Sequence, residues 1–167
     1  MMRGFLSRLA ADTRGAAAIE FALWTVLFFM VVMAGLDFGA FYLQRSKADE
    51  AVAAAAVASF SQRENVNFSQ IPDYVRALAK DPGLTVTTSC NGSTGSCTNS
   101  SRSCACMGSA GSYVAAACGT TCSGSGAGAT AGYYLTIEAG RPYQPMMLPN
   151  GVLTDTRIDR TATVRLE

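Results

Sequence analysis

From Phe21 to Leu36 the chain reads FALWTVLFFMVVMAGL without a charged residue, and the AAAI before Glu20 extends the run to about the twenty residues that cross a bilayer as one helix. Lipid supplies no partners for backbone amides and carbonyls, so such a segment must satisfy them internally as a helix. Arg3, Arg8 and Arg14 outweigh Asp12 on its N-terminal side, which places the N-terminus in the cytoplasm; Arg45 and Lys47 on the far side reduce that asymmetry. Helix-forming composition continues beyond the apolar run, because Phe41 to Phe60 is rich in alanine and free of proline. One helix is therefore predicted from about Ala16 to Phe60, on the order of 65 Å long and about twice the hydrocarbon thickness. Its second half lies outside lipid, where alanines either permit close helix packing or simply serve as good helix formers.

In a chain of 167 residues this leaves roughly a hundred for a soluble core. Gly, Ser, Thr and Cys dominate residues 89–132, and all 6 cysteines lie there: Cys90, Cys97, Cys104, Cys106, Cys118 and Cys122. An even count points to an oxidising compartment and a disulfide-braced loop, with connectivity open except that Cys104 and Cys106 are too close in sequence to bond to each other. The usual pair of CxxC knuckles is missing and the chain has 0 histidines, so no metal site and no cofactor are expected. No Ser/Lys, Cys/His or paired-carboxylate arrangement stands out, which argues against an enzyme. Formal charge is +1 with no dense basic block, which argues against a nucleic-acid partner.

The soluble part shows weaker but readable signals. Ser61 to Gln70 reads as a connector, Ile71-Pro72-Asp73 as a helix start, and Asp81-Pro82-Gly83 as its end; Val75, Leu78 and Ala79 are predicted to line one face. Strands are predicted at Leu84 to Thr88, Tyr133 to Glu138 and Ile158 to Leu166, the last with Ile158, Ala162, Val164 and Leu166 on one face and Arg160 interrupting. Asn150-Gly151 is a turn signal, with Val152 to Ile158 returning the chain to the sheet. The expected fold class is α+β: a long N-terminal transmembrane helix packed on a small antiparallel β-sheet, with a Cys/Gly/Ser-rich, disulfide-braced loop. The expected division is a leader over 1–15, a helix over 16–60 with its membrane part at about 16–36, and an extracytoplasmic domain over 61–167 with a Cys-rich insert at 89–132.

Glu20 does not suit an ordinary anchor, since a carboxylate at bilayer depth costs on the order of 2 to 3 kcal/mol on insertion scales. It is either an interfacial residue favoured by the positive end of the helix dipole or a group with a partner. Its context is Arg14-Gly15-Ala16-Ala17-Ala18-Ile19-Glu20-Phe21, leading straight into the apolar run. This resembles the processing site of type IV prepilins, and in particular the TadE-like pilins of the tight-adherence system. Leu36-Asp37-Phe38-Gly39 is similar to the element that ends the apolar segment in that family. Tyr133 to Ile137, Arg141-Pro142-Tyr143-Gln144-Pro145 and Thr161 to Glu167 are similar to its C-terminal strands and turn, whereas the insert from Cys90 to Cys122 has no counterpart there.

The resemblance implies cleavage by a prepilin peptidase between Gly15 and Ala16, and pairing of Glu20, next to Phe21, with the new N-terminal amine of a neighbouring subunit. Such a pair makes two otherwise costly charges tolerable. It implies a structural role, as a minor pilin or pseudopilin or as an assembly component of a tight-adherence pilus. The implied partners are other pilin-like subunits, the prepilin peptidase and the inner-membrane assembly platform. The implied location is the bacterial inner membrane, with the C-terminal domain extracytoplasmic and incorporation into an extracellular pilus. Gly35 and Gly39 are spaced as a helix-contact face or a bend, or are simply glycines of the kind common in membrane helices. The alternatives are a secreted disulfide-rich module cut after Val32-Met33-Ala34, and a single-pass protein that is never cut.

Overall fold

The computed structural model of the chain describes residues 13–108, 111–123, 128–147 and 156–167, with Thr13 and Arg14 described through their backbone alone. Helix α1, Thr13–Ser61, is one uninterrupted 49-residue helix of roughly 74 Å. The expected helix over 16–60 is thus present and slightly longer. Its two halves meet different surroundings. No residue from 15 to 36 is buried. From Asp37 onward a stripe recurs at steps of three or four: Asp37, half-buried Phe41 and Gln44, then Ala48, Ala51, Val52, Ala55 and Ser59. Ser59 returns its hydroxyl to the Ala55 carbonyl at 2.8 Å, so the polar end of the stripe is satisfied within the helix.

A 3-10 turn, Phe68–Gln70, leads into α2, Ile71–Ala79, with Pro72 near its start and Asp73 in its first turn. The buried face of α2 is Ile71, Val75 and Ala79, spaced four apart; Leu78, expected on that face, is instead 43 % exposed. The i, i+4 stripe selected by the core passes beside Leu78. Lys80 takes the left-handed conformation (φ 53°), and the Asp81 amide bonds back to the Arg76 carbonyl, closing the helix one residue before the Asp-Pro-Gly turn.

Strands β1 (Thr85–Cys90), β2 (Ser93–Thr94), β5 (Tyr134–Pro142) and β6 (Arg157–Arg165) form one antiparallel sheet in the order β2-β1-β5-β6. The expected strands are therefore adjacent, and β2 is added by a hairpin whose turn is Asn91-Gly92, both at positive φ, the geometry that matches strand twist. Leu135, Ile137 and Ala139 of β5 and Ile158 of β6 face inward, with Ala162 and Val164 partly buried alongside. Arg160 interrupts that row as expected and turns to Asp49 of α1 at 3.6 Å. The second half of α1 covers this face, so the core joins Ala51, Val52, Ala55 and Ala56 to Leu135, Ile137, Ala139 and Leu166. The turn expected at Asn150-Gly151 and residues 1–12 of the leader expected over 1–15 lie outside the described residues.

The Cys-rich insert forms a small lobe around a second sheet, β3 (Ala105–Met107) with β4 (Tyr113–Ala115). Disulfides link Cys90 to Cys97, Cys104 to Cys118 and Cys106 to Cys122. The first is continuous with the main core, since Cys90 is 2 % exposed; the other two cross-link the lobe. Tyr113 ties the lobe to the outer face of the large sheet, its hydroxyl 3.1 Å from that of Thr136, which in turn lies 3.0 Å from that of Thr163.

Candidate functional site

The residues expected to be processed and assembled stand on the bare half of α1. Gly15, Ala16, Glu20 and Phe21 are all exposed, Phe21 at 74 %. The Gly15–Ala16 peptide bond lies within the described stretch of α1. Glu20 makes no hydrogen bond or ion pair among the described residues. The Thr25 hydroxyl donates to the Phe21 carbonyl at 2.8 Å, which removes a polar group from an otherwise apolar surface. A Cβ added at Gly35 or at Gly39 meets nothing within 4 Å, so neither glycine is required by packing inside the chain.

Where the apolar run ends, the helix acquires its first tertiary contacts, and they converge on Asp37. This carboxylate is 1 % exposed. Its Oδ1 accepts the amide of Met146 and its Oδ2 that of Met147, each at 2.9 Å, while the Tyr143 hydroxyl donates to the Asp37 main-chain carbonyl at 2.8 Å. Phe41, one turn on, meets the Tyr143 ring edge-on at a centroid distance of 5.2 Å. Ala48 and Ile158 complete this small cluster. Burial pushes the Tyr143 phenol pKa above its ordinary value, and the Asp37 carboxylate pushes it further in the same direction.

The end of β5 is fixed a second time on its other flank. Arg141 reaches Asp81, in the turn after α2, at 2.6 Å, and Arg76 of α2 donates to the Leu84 carbonyl at 3.0 Å. The Arg-Pro-Tyr segment is thus clamped between α1 and α2. Sequence reasoning had marked Asp37-Phe38-Gly39 and Arg141 to Pro145 as separate similarities; the structure makes them two sides of one joint. The signal available in the sequence was a lone carboxylate closing an apolar run, which calls for hydrogen-bond donors but does not name them.

At the opposite end of the sheet the lobe is held to the tip of α1. Asn99 accepts the Val66 amide and donates to the Val66 carbonyl, both at 3.0 Å, and Arg102 bonds to the Arg63 carbonyl. The Arg102 guanidinium also lies over the Tyr133 ring, 5.2 Å from its centroid, while the Tyr133 hydroxyl accepts the Thr98 amide at 2.9 Å. Twenty-four residues of helix, about 36 Å of axial rise, separate Asp37 from Ser61 at this end. The lobe therefore sits far from the apolar half of α1. Sulfurs of Cys104 and Cys118 lie with a Glu167 carboxylate oxygen within 4.8 Å of one another. The two sulfurs are bonded to each other, so this group has no thiolate to offer a metal.

Residues 15–57 match the family model described as TadE-like protein, which shows over that stretch the resemblance read from the motifs. The matched segment starts at Gly15, takes in Glu20 and Asp37, and ends within the buried stripe of α1. No curated protein matches the chain, and no solved structure does.

Proposed function

Because residues 15–57 are a TadE-like segment, we propose that the protein is a structural, non-catalytic component of a tight-adherence pilus, acting as a minor pilin or as part of the assembly machinery. In this reading a prepilin peptidase cuts between Gly15 and Ala16. The apolar half of α1 anchors the subunit in the inner membrane, and the α+β domain stands outside the cytoplasm, where its disulfides are stable. Glu20 then pairs with the terminal amine of a neighbouring subunit as both enter the filament. Other pilin-like subunits and the inner-membrane assembly platform are its partners.

The observation that carries the reading is the contrast along a single helix. An 18-residue window of the first half has mean hydropathy 2.2 and is 0 % buried, while the second half is the backbone of the domain core. An unbroken helix of this kind couples a lipid-soluble stalk rigidly to a folded head, as a subunit moving from membrane to filament requires. Glu20 on the bare stalk, with no partner among the described residues, fits a charge reserved for another chain.

The test is the N-terminal residue of the protein isolated from its native membrane, read by peptide mass spectrometry together with methylation of the terminal amine. A start at Ala16 supports prepilin processing. A start at Gly35 means a secreted module released from its signal peptide, and an uncut N-terminus means a permanent anchor; either outcome overturns the processing step.

A further inference from the structure

The joint at Asp37 determines where the loop following β5 lies relative to the apolar half of α1. Asp37 follows Leu36, the last residue of the apolar run, by a single helical step of about 1.5 Å. The amides of Met146 and Met147 are held 2.9 Å from its carboxylate oxygens, so both residues sit at the level where the apolar surface begins. Their side chains point away from the core: Met146 is 76 % and Met147 51 % exposed. On α1, Phe38 is 53 % exposed one residue beyond Asp37 and Tyr42 is 70 % exposed about 7.5 Å further toward the domain than Asp37, aromatic residues of the kind that collect at a membrane–water boundary.

We propose that Met146 and Met147 form a second membrane contact, a tip that inserts into the outer face of the leaflet crossed by α1 and seats the domain on the lipid. This rests on the membrane-anchor reading given above. Two properties of the loop suit lipid better than a protein partner. First, its amides are turned inward onto the Asp37 carboxylate, so the outward surface presents thioethers and no unsatisfied donor from these two residues, which removes the cost of two bare amides on entering an apolar phase. Second, the exposed methionines are anchored at Asp37, the residue that follows the exposed Leu36 of the apolar run, and unbranched, deformable side chains fit disordered acyl chains without a shaped pocket. A helix with one such side contact is restrained in tilt and rotation, which a lone stalk is not.

The experiment uses the full chain in phosphatidylcholine vesicles containing lipids with a nitroxide either near the head or near the end of the acyl chain. The native Trp24, the 1 tryptophan in the sequence, reports the anchor. In a Trp24→Phe background, Met146→Trp reports the tip, and Val114→Trp, at a position 66 % exposed on the distal lobe, is the aqueous control. The expected result is a blue-shifted emission from Met146→Trp, quenched more by the shallow nitroxide than by the deep one and sheltered from aqueous acrylamide, with the opposite behaviour from Val114→Trp.

If Trp24 is quenched by lipid while Met146→Trp behaves like the lobe control, the inference is overturned and the anchor reading stands; if Trp24 itself escapes quenching, both fall. Oxidation of the unsubstituted protein in the same vesicles provides a second readout. Met146 and Met147 are expected to react with aqueous peroxide more slowly than Met107 of the lobe, although Met107 is only 40 % exposed. Equal or faster reaction at Met146 and Met147 refutes insertion.

Discussion

Replacing Asp37 by alanine removes the acceptor for two amides at once, and the size of the effect follows from the geometry. A hydrogen bond to a charged acceptor contributes about 1.5–3 kcal/mol, and both bonds here are 2.9 Å long with the carboxylate 1 % exposed. The freed amides are not wholly cut off, because Met146 is 76 % exposed and solvent can reach part of the loop. The net loss for Asp37→Ala is therefore set at about 2–4 kcal/mol rather than the full sum. Asp37→Asn keeps one oxygen acceptor but turns an NH2 toward the second amide, so about half of that loss is expected. For a folded region near a hundred residues, each kcal/mol lowers Tm by about 4–8 °C, so Asp37→Ala should melt roughly 10 °C or more below the parent. The assay is the near-ultraviolet tyrosine signal of the full chain in micelles, combined with amide exchange at Met146 and Met147. Those two amides should lose on the order of thirtyfold or more in protection. A Tm within a degree of the parent together with unchanged exchange at both methionines would show that the carboxylate does not hold the loop, and would refute the joint.

Tyr143→Phe tests the same joint through pH. The folded-state phenol pKa is raised above 10.0, so the folded form keeps its proton longer than the unfolded form; the contribution is complete below pH 10 and is lost as pH rises through the raised value. The parent should lose stability on moving above pH 10 more steeply than Tyr143→Phe does, as read by denaturant midpoints across the alkaline range. Below pH 10 the variant should be weaker by about 0.5–1.5 kcal/mol, the worth of its hydrogen bond to Asp37. The disulfides should separate into two classes. Removing Cys106–Cys122 frees a chain separation of 16 residues, about 3 kcal/mol by loop entropy, and should loosen β3 and β4 while β5–β6 amides stay protected; removing Cys90–Cys97 should lower the protection of the large sheet as well. Gly92→Ala should cost about 1–2 kcal/mol in a thermal melt, because φ is +78° and the new Cβ lies 2.9 Å from the Tyr113 ring. Glu20→Gln should leave processing after Gly15 largely intact but reduce surface piliation, as counted by electron microscopy; unchanged piliation would count against the charge-pairing step.

The length of α1 and the alternation of β5 and β6 were legible because each is written in consecutive residues. An apolar run without charge, continued by alanines without proline, leaves the backbone no competing conformation over residues 13–61. Period-two patterning likewise marked the inward row Ile158, Ala162, Val164 and Leu166 and even its interruption at Arg160, whose charge is met by Asp49. Leu78 was misassigned because a short helix offers several apolar stripes and the core selects one of them.

The cysteine pairing, the seat of the lobe at the far tip of α1 and the clasp of Asp37 on the Met146-Met147 amides were decided only in three dimensions. Local energetics assign no partner to a residue whose contact lies 106 to 110 positions away. Closing loops of that length is opposed by chain entropy that grows only slowly with separation, so the sequence distance hardly discriminates among partners. The choice falls to the packed sheet, which brings the end of β5 against the first buried turn of α1 and leaves the Cys-rich lobe against the last. A carboxylate at the foot of the helix and donors at the end of a strand are each readable alone; that they meet is a property of the assembled core.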